Sequence, residues 1–546
     1  MSGASNSSNS SNSSNSKYHD PKTPSDVQIS FEARKPIMDP TLGIAVNISK
    51  EGTPPHRLVT IGDSLTHGFQ SGAIHNTSLS YPAIIAKEMG WKELRHPVYN
   101  SPDAGLPLNL EKLANDLHKK FGDKITWLNT IPVILFIREY LDRVENYWER
   151  GGGTKFPQEG KINHNLAIYG WDIRNTLSRN ADICLDVLAK NPPKNDWIRK
   201  VVENHNERAS CYVLNTARDR FGNALTPIQA ATLLGEEGSA DSEGIETLIV
   251  MVGSNNALGS ILTFNVSWSE EGYDDMSVND KYTVWRPIHF KAELDLLVAE
   301  IKKIRARHVI LSTVPHITIA PLAHGVGGKA RNHSRYFPYY SLPWIQDADF
   351  NPDKHPRITE NEARAIDSAI DQYNQAITEV VRQARLEGKD WYLFELCGLL
   401  DRSASRRYIE DPDARPDWWD EVGGEYQLPP ALEAVSPRLT SEFLLSEAQG
   451  RIQGGLFSLD GVHPSTVSYG VIAEEMIKIM QLAGVKFYEG DGKTERKGEI
   501  KVDFEDLVQR DTLVSQTPRN VKTILEFLGG IDKNFNFLSG MMKRNY

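Results

Sequence analysis

The sequence predicts an α/β protein with a mostly parallel sheet and helices on both of its faces. Short apolar segments with strand character alternate along the 546-residue chain with segments whose apolar residues recur at helical spacing. Such alternation is typical of parallel strands joined by helical crossovers. Long insertions separate these elements, and the sequence contains no internal repeat.

The first strand and helix form the clearest pair. We expect a strand over residues 57–61, a turn over 62–65, and a helix over 81–89 that Gly90 ends. The turn reads Gly-Asp-Ser-Leu. It therefore stands at the carboxyl end of a buried strand.

Further strands and helices follow in the same alternation. Apolar runs predict strands over residues 247–252, 309–313 and 391–395. Apolar residues at helical spacing predict helices over residues 290–307 and 466–482. A capping box formed by Thr359 and Glu362 predicts the start of another helix, which continues to Gly388.

The chain is predicted to divide into three regions. We expect residues 1–50 to be a disordered Ser/Asn-rich tail and lead-in, since the Ser/Asn tract has no apolar surface to bury. Residues 51–484 form the α/β domain, and residues 485–546 form a C-terminal helical extension. Insertions of a length typical of lids or small subdomains are predicted at 106–160, 175–245, 320–357 and 400–455.

Composition narrows the classes of function and location. A formal charge of −11 and a pI near 5.8 argue against a nucleic-acid partner or an anionic membrane surface. No signal peptide and no apolar run long enough for a transmembrane segment is visible, so we expect a cytoplasmic protein. Cys184, Cys211 and Cys397 lack paired spacing, which favours buried, reduced thiols.

Two short motifs carry residues of nucleophilic catalysis. Ser64 follows the first strand, at the sheet edge where open α/β sheets place their active sites. In Asp460-Gly-Val-His463, the spacing lets one loop present a general base together with the carboxylate that orients it. Of the fifteen histidines, only His463 has an aspartate three residues before it.

Two further motifs could stabilise a developing negative charge. Asn255 ends a buried strand in Gly-Ser-Asn-Asn, where its amide could donate to an oxyanion. Gly170 lies in Asn-Leu-Ala-Ile-Tyr-Gly, where the lack of a side chain would let a substrate approach the backbone N–H. Each of these motifs is also compatible with an ordinary turn.

These four motifs, in this order, resemble those of the SGNH/GDSL hydrolase superfamily. The resemblance implies a flavodoxin-like three-layer α/β/α sandwich with a mostly parallel sheet and long insertions. It implies Ser64 as the nucleophile, His463 as the general base and Asp460 as its carboxylate partner. It further implies an oxyanion hole formed by the N–H groups of Ser64 and Gly170 and the side chain of Asn255.

The sequence departs from the family pattern at one position, and at the glycine motif it offers two candidate residues. Asn256 stands where the family usually has Asp, although Asn255 itself is retained. Gly105, in Asn-Ser-Pro-Asp-Ala-Gly, also resembles the glycine motif. We prefer Gly170 because the residues before it match the family motif more closely and a helical pattern follows it.

The resemblance predicts a serine ester hydrolase that needs no metal or organic cofactor. The chain contains no Gly-x-Ser-x-Gly elbow of the α/β-hydrolase fold and no His-Glu-x-x-His motif. The substrate is expected to be a small-molecule, lipid or glycan ester, and the sequence determines neither its acyl group nor the oligomeric state. An acyltransferase using the same site and a non-catalytic binding or scaffold protein on the same fold remain alternatives.

Overall fold

The computed structural model describes most of the predicted α/β domain and its flanks. The described residues are 20–48, 52–99, 101, 105–125, 129–193, 201–239 and 243–527. The predicted Ser/Asn tail up to residue 19 lies outside them. Residues 20–48 run over the core as turns and extended chain, fixed by ion pairs such as Asp26–Arg286 and Arg34–Glu395.

The described strands form one central sheet and three small antiparallel sheets of two or three strands. They are β1 (His56–Gly62), β2 (Ala73–Ile74), β3 (Leu106–Pro107), β4 (Ile245–Met251), β5 (Ala306–Ser312), β6 (His324–Gly325), β7 (Tyr339–Ser341), β8 (Ile358–Thr359), β9 (Trp391–Phe394), β10 (Leu445–Glu447) and β11 (Gly450–Gln453).

Within the described residues, the central sheet has four parallel strands in the order β1–β4–β5–β9. Val59 pairs with Leu248, and Leu248 pairs with Val309. The strands are rich in Val, Ile and Leu on both faces, which is expected when helices cover both sides of a parallel sheet. The predicted mixed α/β fold with a parallel sheet is confirmed.

An extended segment, residues 164–168, follows the free edge of β1. Thr60 N–H donates to His164 O over 2.8 Å, and Leu166 N–H donates back to Thr60 O over 2.9 Å. Ile168 N–H donates to Gly62 O over 3.2 Å. The segment therefore runs parallel to β1 and delivers residues 169–173 to the carboxyl edge of the sheet.

The helices are α1 (Ser64–His67), α2 (Tyr81–Glu88), α3 (Leu110–Phe121), α4 (Thr130–Arg150), α5 (Ile173–Ser178), α6 (Ala181–Lys190), α7 (His205–Leu214), α8 (Pro227–Glu236), α9 (Asn255–Thr263), α10 (Pro287–Ile301), α11 (Glu360–Leu386), α12 (Leu396–Arg402), α13 (Pro430–Glu433), α14 (Thr466–Ala483), α15 (Phe504–Arg510) and α16 (Thr512–Ser515).

Two apolar cores cover the two faces of the sheet. On one face, Val59 and Leu248 pack with residues of α8, α10 and α11. On the other face, Leu58 and Ile249 pack with residues of α2, α14 and α15. Alternate residues of each strand therefore enter opposite cores, as the pleat requires.

Several predicted boundaries can be compared directly with the structure. The capping box of Thr359 and Glu362 is confirmed, and it starts the 27-residue helix α11. The helix predicted over residues 290–307 was wrong at its end, because α10 stops at Ile301 and β5 begins at Ala306. Ile304 continues the apolar spacing, but it is buried beneath a turn rather than on a helix.

The C-terminal extension packs back onto the domain through α15 and α16. Phe504 and Leu507 enter the same core as α14, and Asp511 accepts a hydrogen bond from Val467 N–H over 2.9 Å. Among the described helices, none combines the length and the apolar character needed to cross a lipid bilayer.

Candidate active site

The predicted nucleophile Ser64 lies at the carboxyl end of β1. The strand ends at Gly62, and Asp63 caps α1 by accepting the Leu65 N–H over 3.1 Å. A Cβ on Gly62 would lie 2.5 Å from the Met251 carbonyl oxygen, so only glycine fits between the two strand ends. Ser64 is the first residue of α1 and is 6% exposed.

Asp460 and His463 form a buried pair in the turn before α14. Asp460 Oδ2 lies 3.0 Å from His463 Nδ1 and accepts the Gly72 N–H over 2.9 Å. Asp460 Oδ1 accepts the backbone N–H groups of Val462 and His463 over 2.9 and 2.8 Å. Burial alone raises the pKa of Asp460, but His463 and the backbone donors outweigh it and hold that pKa below its ordinary value.

This pairing sets which nitrogen of the His463 ring faces the carboxylate. An ionised Asp460 accepts a hydrogen bond from the protonated Nδ1 of His463, which leaves Nε2 as the acceptor nitrogen. The ring also packs against Phe69, with 4.5 Å between the ring centroids. His463 is therefore held in the orientation and the tautomer that a general base requires.

Ser64 and His463 line the same cavity. The cavity has a volume of about 90 Å³, and most of its wall is apolar, contributed mainly by α12, α14 and the loops between them. Among the described residues, the His463 ring is hydrogen-bonded to Asp460 and not to Ser64 Oγ.

A larger cleft adjoins this cavity. Ile319 and Ser441 belong to the walls of both, and the cleft has a volume of about 500 Å³. Phe337 and Tyr340 supply aromatic surface there, and Arg406 supplies a guanidinium that stacks 4.8 Å from the Phe337 ring centroid. The smaller cavity is therefore mainly apolar, and the larger cleft is more polar.

Gly170 lies immediately beyond the segment that follows the edge of β1. Its φ of +76° is a left-handed conformation that favours glycine. A Cβ at this position would lie 2.1 Å from Asn206 Nδ2, whose amide donates to the Tyr169 carbonyl over 2.7 Å. Both the backbone angle and the space therefore require glycine here.

His67 joins the serine turn to the Gly170 loop. Its Nδ1 accepts the Tyr169 N–H over 3.2 Å, and its Nε2 lies 2.9 Å from the Tyr99 hydroxyl. Burial lowers the pKa of His67 to about 3, so the ring is neutral and can accept at Nδ1. Sequence reasoning gave this histidine no role, although it stands three residues after Ser64.

Asn255 is the first residue of α9 and contacts the Gly170 loop from the other side. Its Nδ2 donates to the Trp171 carbonyl over 2.9 Å, which uses one of its two amide hydrogens. Asn256 is fully buried behind it, and its Oδ1 accepts the Ile173 N–H over 3.4 Å. Gly170 and Asn255 are not part of the cavity wall, whereas the neighbouring Ser254 is.

Gly105 occupies a different place. It precedes β3, which pairs antiparallel with β2, and its carbonyl accepts the Trp148 indole N–H over 2.9 Å. With a φ of +121° and Ala73 Cβ only 2.8 Å from the position of a Cβ, it is also a structurally required glycine. Its contacts are with the β2–β3 pair and α4, not with the strand end that carries Ser64.

Asp63 is a buried ionisable group next to Ser64 that sequence reasoning did not single out. Burial raises the pKa of Asp63 to about 6, against the opposing effects of the Leu65 N–H, His463 and Ser254. Its Oδ2 has no hydrogen-bond partner among the described residues. The only signal in the sequence was its place in the Gly-Asp-Ser turn.

Comparison of the chain with models of protein families and with curated proteins finds no match. The function is therefore inferred from the geometry of the site and from the motifs that form it.

Proposed function

We propose that this protein is a serine ester hydrolase of the SGNH/GDSL type. One observation carries the proposal: Ser64 and His463 line the same buried cavity, while Asp460 binds the far nitrogen of that imidazole over 3.0 Å. A hydroxyl, an oriented imidazole and a buried carboxylate are the elements of a Ser-His-Asp triad.

The order of the strands supports the same proposal. Counted along the chain, β1 is first, residues 164–168 are second, and β4, β5 and β9 follow. If residues 164–168 are counted with the four strands of the sheet, the order across it reads 2-1-3-4-5, which is compatible with the proposed flavodoxin-like fold. Ligands of such folds bind where the strand order reverses, here between β1 and β4. Ser64 and Asn255 follow these two strands directly.

In the proposed reaction, Ser64 Oγ attacks the ester carbonyl carbon as His463 Nε2 takes the hydroxyl proton. Asp460 stabilises the resulting imidazolium. The tetrahedral intermediate collapses when His463 returns that proton to the leaving alcohol, and an acyl-enzyme remains. A water molecule, deprotonated by the same imidazole, then attacks the acyl carbon and releases the carboxylic acid and Ser64.

The proposed oxyanion hole consists of the N–H of Ser64, which belongs to the cavity wall, and two donors from residues outside that wall, the Gly170 N–H and the second amide hydrogen of Asn255. The contact of Asn255 with the Trp171 carbonyl, and that of His67 with the Tyr169 N–H, fix the Gly170 loop from both sides. Each donor aimed at the oxyanion is worth about 3 kcal/mol in comparable sites. Such donors act without reorganisation only if they are held rigidly.

The two adjoining spaces suggest how an ester would be divided. An acyl group suits the apolar cavity, whose wall includes Leu396, Leu400 and Val471. The alcohol part suits the wider polar cleft that contains Arg406. The ester bond would then lie in the apolar cavity beside Ser64, with the alcohol part directed toward the cleft past Ile319 and Ser441.

The direct test of the proposed function is ester hydrolysis by wild type and Ser64→Ala. The substrates are p-nitrophenyl esters of increasing acyl length, followed by glycan and lipid esters. We expect Ser64→Ala to lose about 10⁶-fold in kcat, as in comparable triads, with an almost unchanged unfolding curve.

The matched control is Ser403→Ala. Ser403 lines the same cavity, but its hydroxyl donates to the Leu399 carbonyl over 2.9 Å. We expect this variant to keep wild-type kcat within a few fold. Activity of Ser64→Ala within tenfold of wild type would exclude the assigned nucleophile. If alcohols replaced water as the acyl acceptor, product analysis would identify an acyltransferase instead.

A further inference from the structure

A second group of chemically active side chains lies at the wall of the catalytic cavity. His316 follows β5 and lines that cavity, and Cys397 and Asp401 lie one turn apart on α12. All three side chains are buried. Among the described residues, they are the only cluster of histidine, cysteine and carboxylate atoms close enough to share a metal ion.

The three ligand atoms form a triangle of the size that one tetrahedral metal ion needs. His316 Nδ1 lies 3.6 Å from Cys397 Sγ and 3.1 Å from Asp401 Oδ2, and Sγ lies 4.0 Å from Oδ2. Zinc bonds of about 2.3 Å to sulfur and about 2.05 Å to nitrogen or oxygen give ligand separations of roughly 3.3–3.6 Å. Shifts of a few tenths of an ångström would place all three atoms on one ion.

A fourth residue holds the histidine from behind. Asp371, on α11, has its Oδ1 3.0 Å from His316 Nε2. A carboxylate on the second ring nitrogen is the usual partner of a metal-binding histidine, because it fixes the ring and the tautomer. With Nε2–H bound to Asp371, Nδ1 is the nitrogen that faces Cys397 and Asp401.

The charged side chains around the cluster favour the binding of a divalent cation. The carboxylates of Asp367, Asp371 and Asp401 lie around the cluster, and the guanidinium of Arg407 lies 3.0 Å from Asp367 and 3.8 Å from Asp401. The three carboxylates outnumber the one guanidinium that contacts them.

We propose that His316, Cys397 and Asp401 bind one borderline-soft divalent metal ion, with Zn²⁺ as the best fit. The sulfur, nitrogen and oxygen donors suit zinc rather than magnesium or calcium, which prefer oxygen alone. Three protein ligands leave the fourth position for a water molecule or for a group from the cavity. The ion joins the loop after β5 to α12 and so stiffens one wall of the cavity; it has no part in the acyl transfer.

The test uses the full chain and Zn²⁺ or Co²⁺ as the probe. After equilibration with Zn²⁺ and gel filtration, we expect about one zinc per chain by mass spectrometry. With Co²⁺, we expect the absorption of tetrahedral cobalt and a thiolate-to-cobalt charge-transfer band. Zinc affinity is measured by competition with a chromophoric chelator.

The variants separate a metal site from a buried charge network. We expect Cys397→Ala to abolish the charge-transfer band and to weaken zinc binding by more than about 100-fold. Cys211→Ala, which removes another buried thiol, should change neither. Asp371→Asn should keep the band but weaken zinc binding about 10- to 100-fold. Ser64→Ala should bind the metal as wild type does, so the result is independent of the hydrolase proposal.

Two outcomes would overturn the metal site. The first is folded wild-type protein that retains no zinc and gives no thiolate-to-cobalt band. The second is a band that persists in Cys397→Ala. Because the first outcome is measured on the wild type, it can exclude the metal site even if a variant fails to fold.

Discussion

At the scale of single residues, the site depends on how Asp460 is held and on how it positions His463. The carboxylate accepts three backbone N–H groups as well as the imidazole Nδ1–H. Such a set of donors holds the carboxylate ionised and fixed in place. The position of His463 is therefore set by the backbone of two separate segments, the turn before α14 and the loop at Gly72.

Replacing Asp460 with Asn separates this electrostatic role from the shape of the turn. An amide at this position can accept at Oδ1 but donates from Nδ2, so it favours the histidine tautomer with its proton on Nε2. We expect Asp460→Asn to lower kcat about 10⁴-fold with little change in KM. The measurement is ester hydrolysis together with thermal unfolding; a folded variant with kcat within tenfold of wild type would contradict the assigned triad.

The side chain of Asn255 gives a second prediction at this scale. Because an oxyanion donor acts mainly on the transition state, we expect Asn255→Ala to lower kcat about 10²- to 10³-fold with little change in KM. The lost contact with the Trp171 carbonyl should also cost about 1 kcal/mol of stability. A large increase in KM with normal kcat would instead indicate that Asn255 binds the ground state of the substrate.

At the scale of elements, the C-terminal extension is tied to α3 through a buried carboxyl. Glu111, on α3, accepts the hydroxyl hydrogen of Thr512 at the start of α16. Burial, with a smaller contribution from Asp511, raises the pKa of Glu111 to about 7. The docked extension therefore encloses a group that is neutral in the folded protein at mildly acid pH.

This raised pKa makes the stability of the protein depend on pH. Between pH 4.5 and 7 the unfolded chain releases the Glu111 proton while the folded protein keeps it, so stability falls as pH rises through this window. Glu111→Gln keeps the acceptor for Thr512 and removes the titration. We expect this variant to match wild type at about pH 4 and to exceed it by up to about 3 kcal/mol at about pH 8.

The measurement is the free energy of unfolding by denaturant at several pH values. Glu505→Gln, at an exposed position on α15, is the control and should leave the pH dependence unchanged. A Glu111→Gln variant that is less stable than wild type at the alkaline end of the series would show that the ionised carboxylate stabilises the docked extension.

At the scale of the whole molecule, the sequence predicted the strands of the central sheet but not every segment that pairs with them. The strands of the central sheet were predictable because buried parallel strands are continuous apolar runs. The strand-like segment 164–168 was not, because it is short and held by few backbone hydrogen bonds. Its partner β1 lies about a hundred residues earlier in the chain.

In the site, too, some contacts could be predicted from the sequence and others could not. The pairing of Asp460 with His463 is local, so their spacing in the sequence was enough to predict it. The contact between His316 and Cys397 joins residues 81 positions apart that share no motif. No local pattern could have predicted it, because it arises when β5 and α12 meet at the edge of the folded sheet.

The most direct test of the central claim is covalent labelling of the folded protein with a fluorophosphonate. This probe reacts with an activated serine whatever the natural ester is, so it does not depend on knowing the substrate. We expect one adduct per chain, located by peptide mapping at Ser64, absent in Ser64→Ala and undiminished in Ser403→Ala. A folded wild-type protein that remains unlabelled, or carries the label on another residue, would contradict the proposed triad.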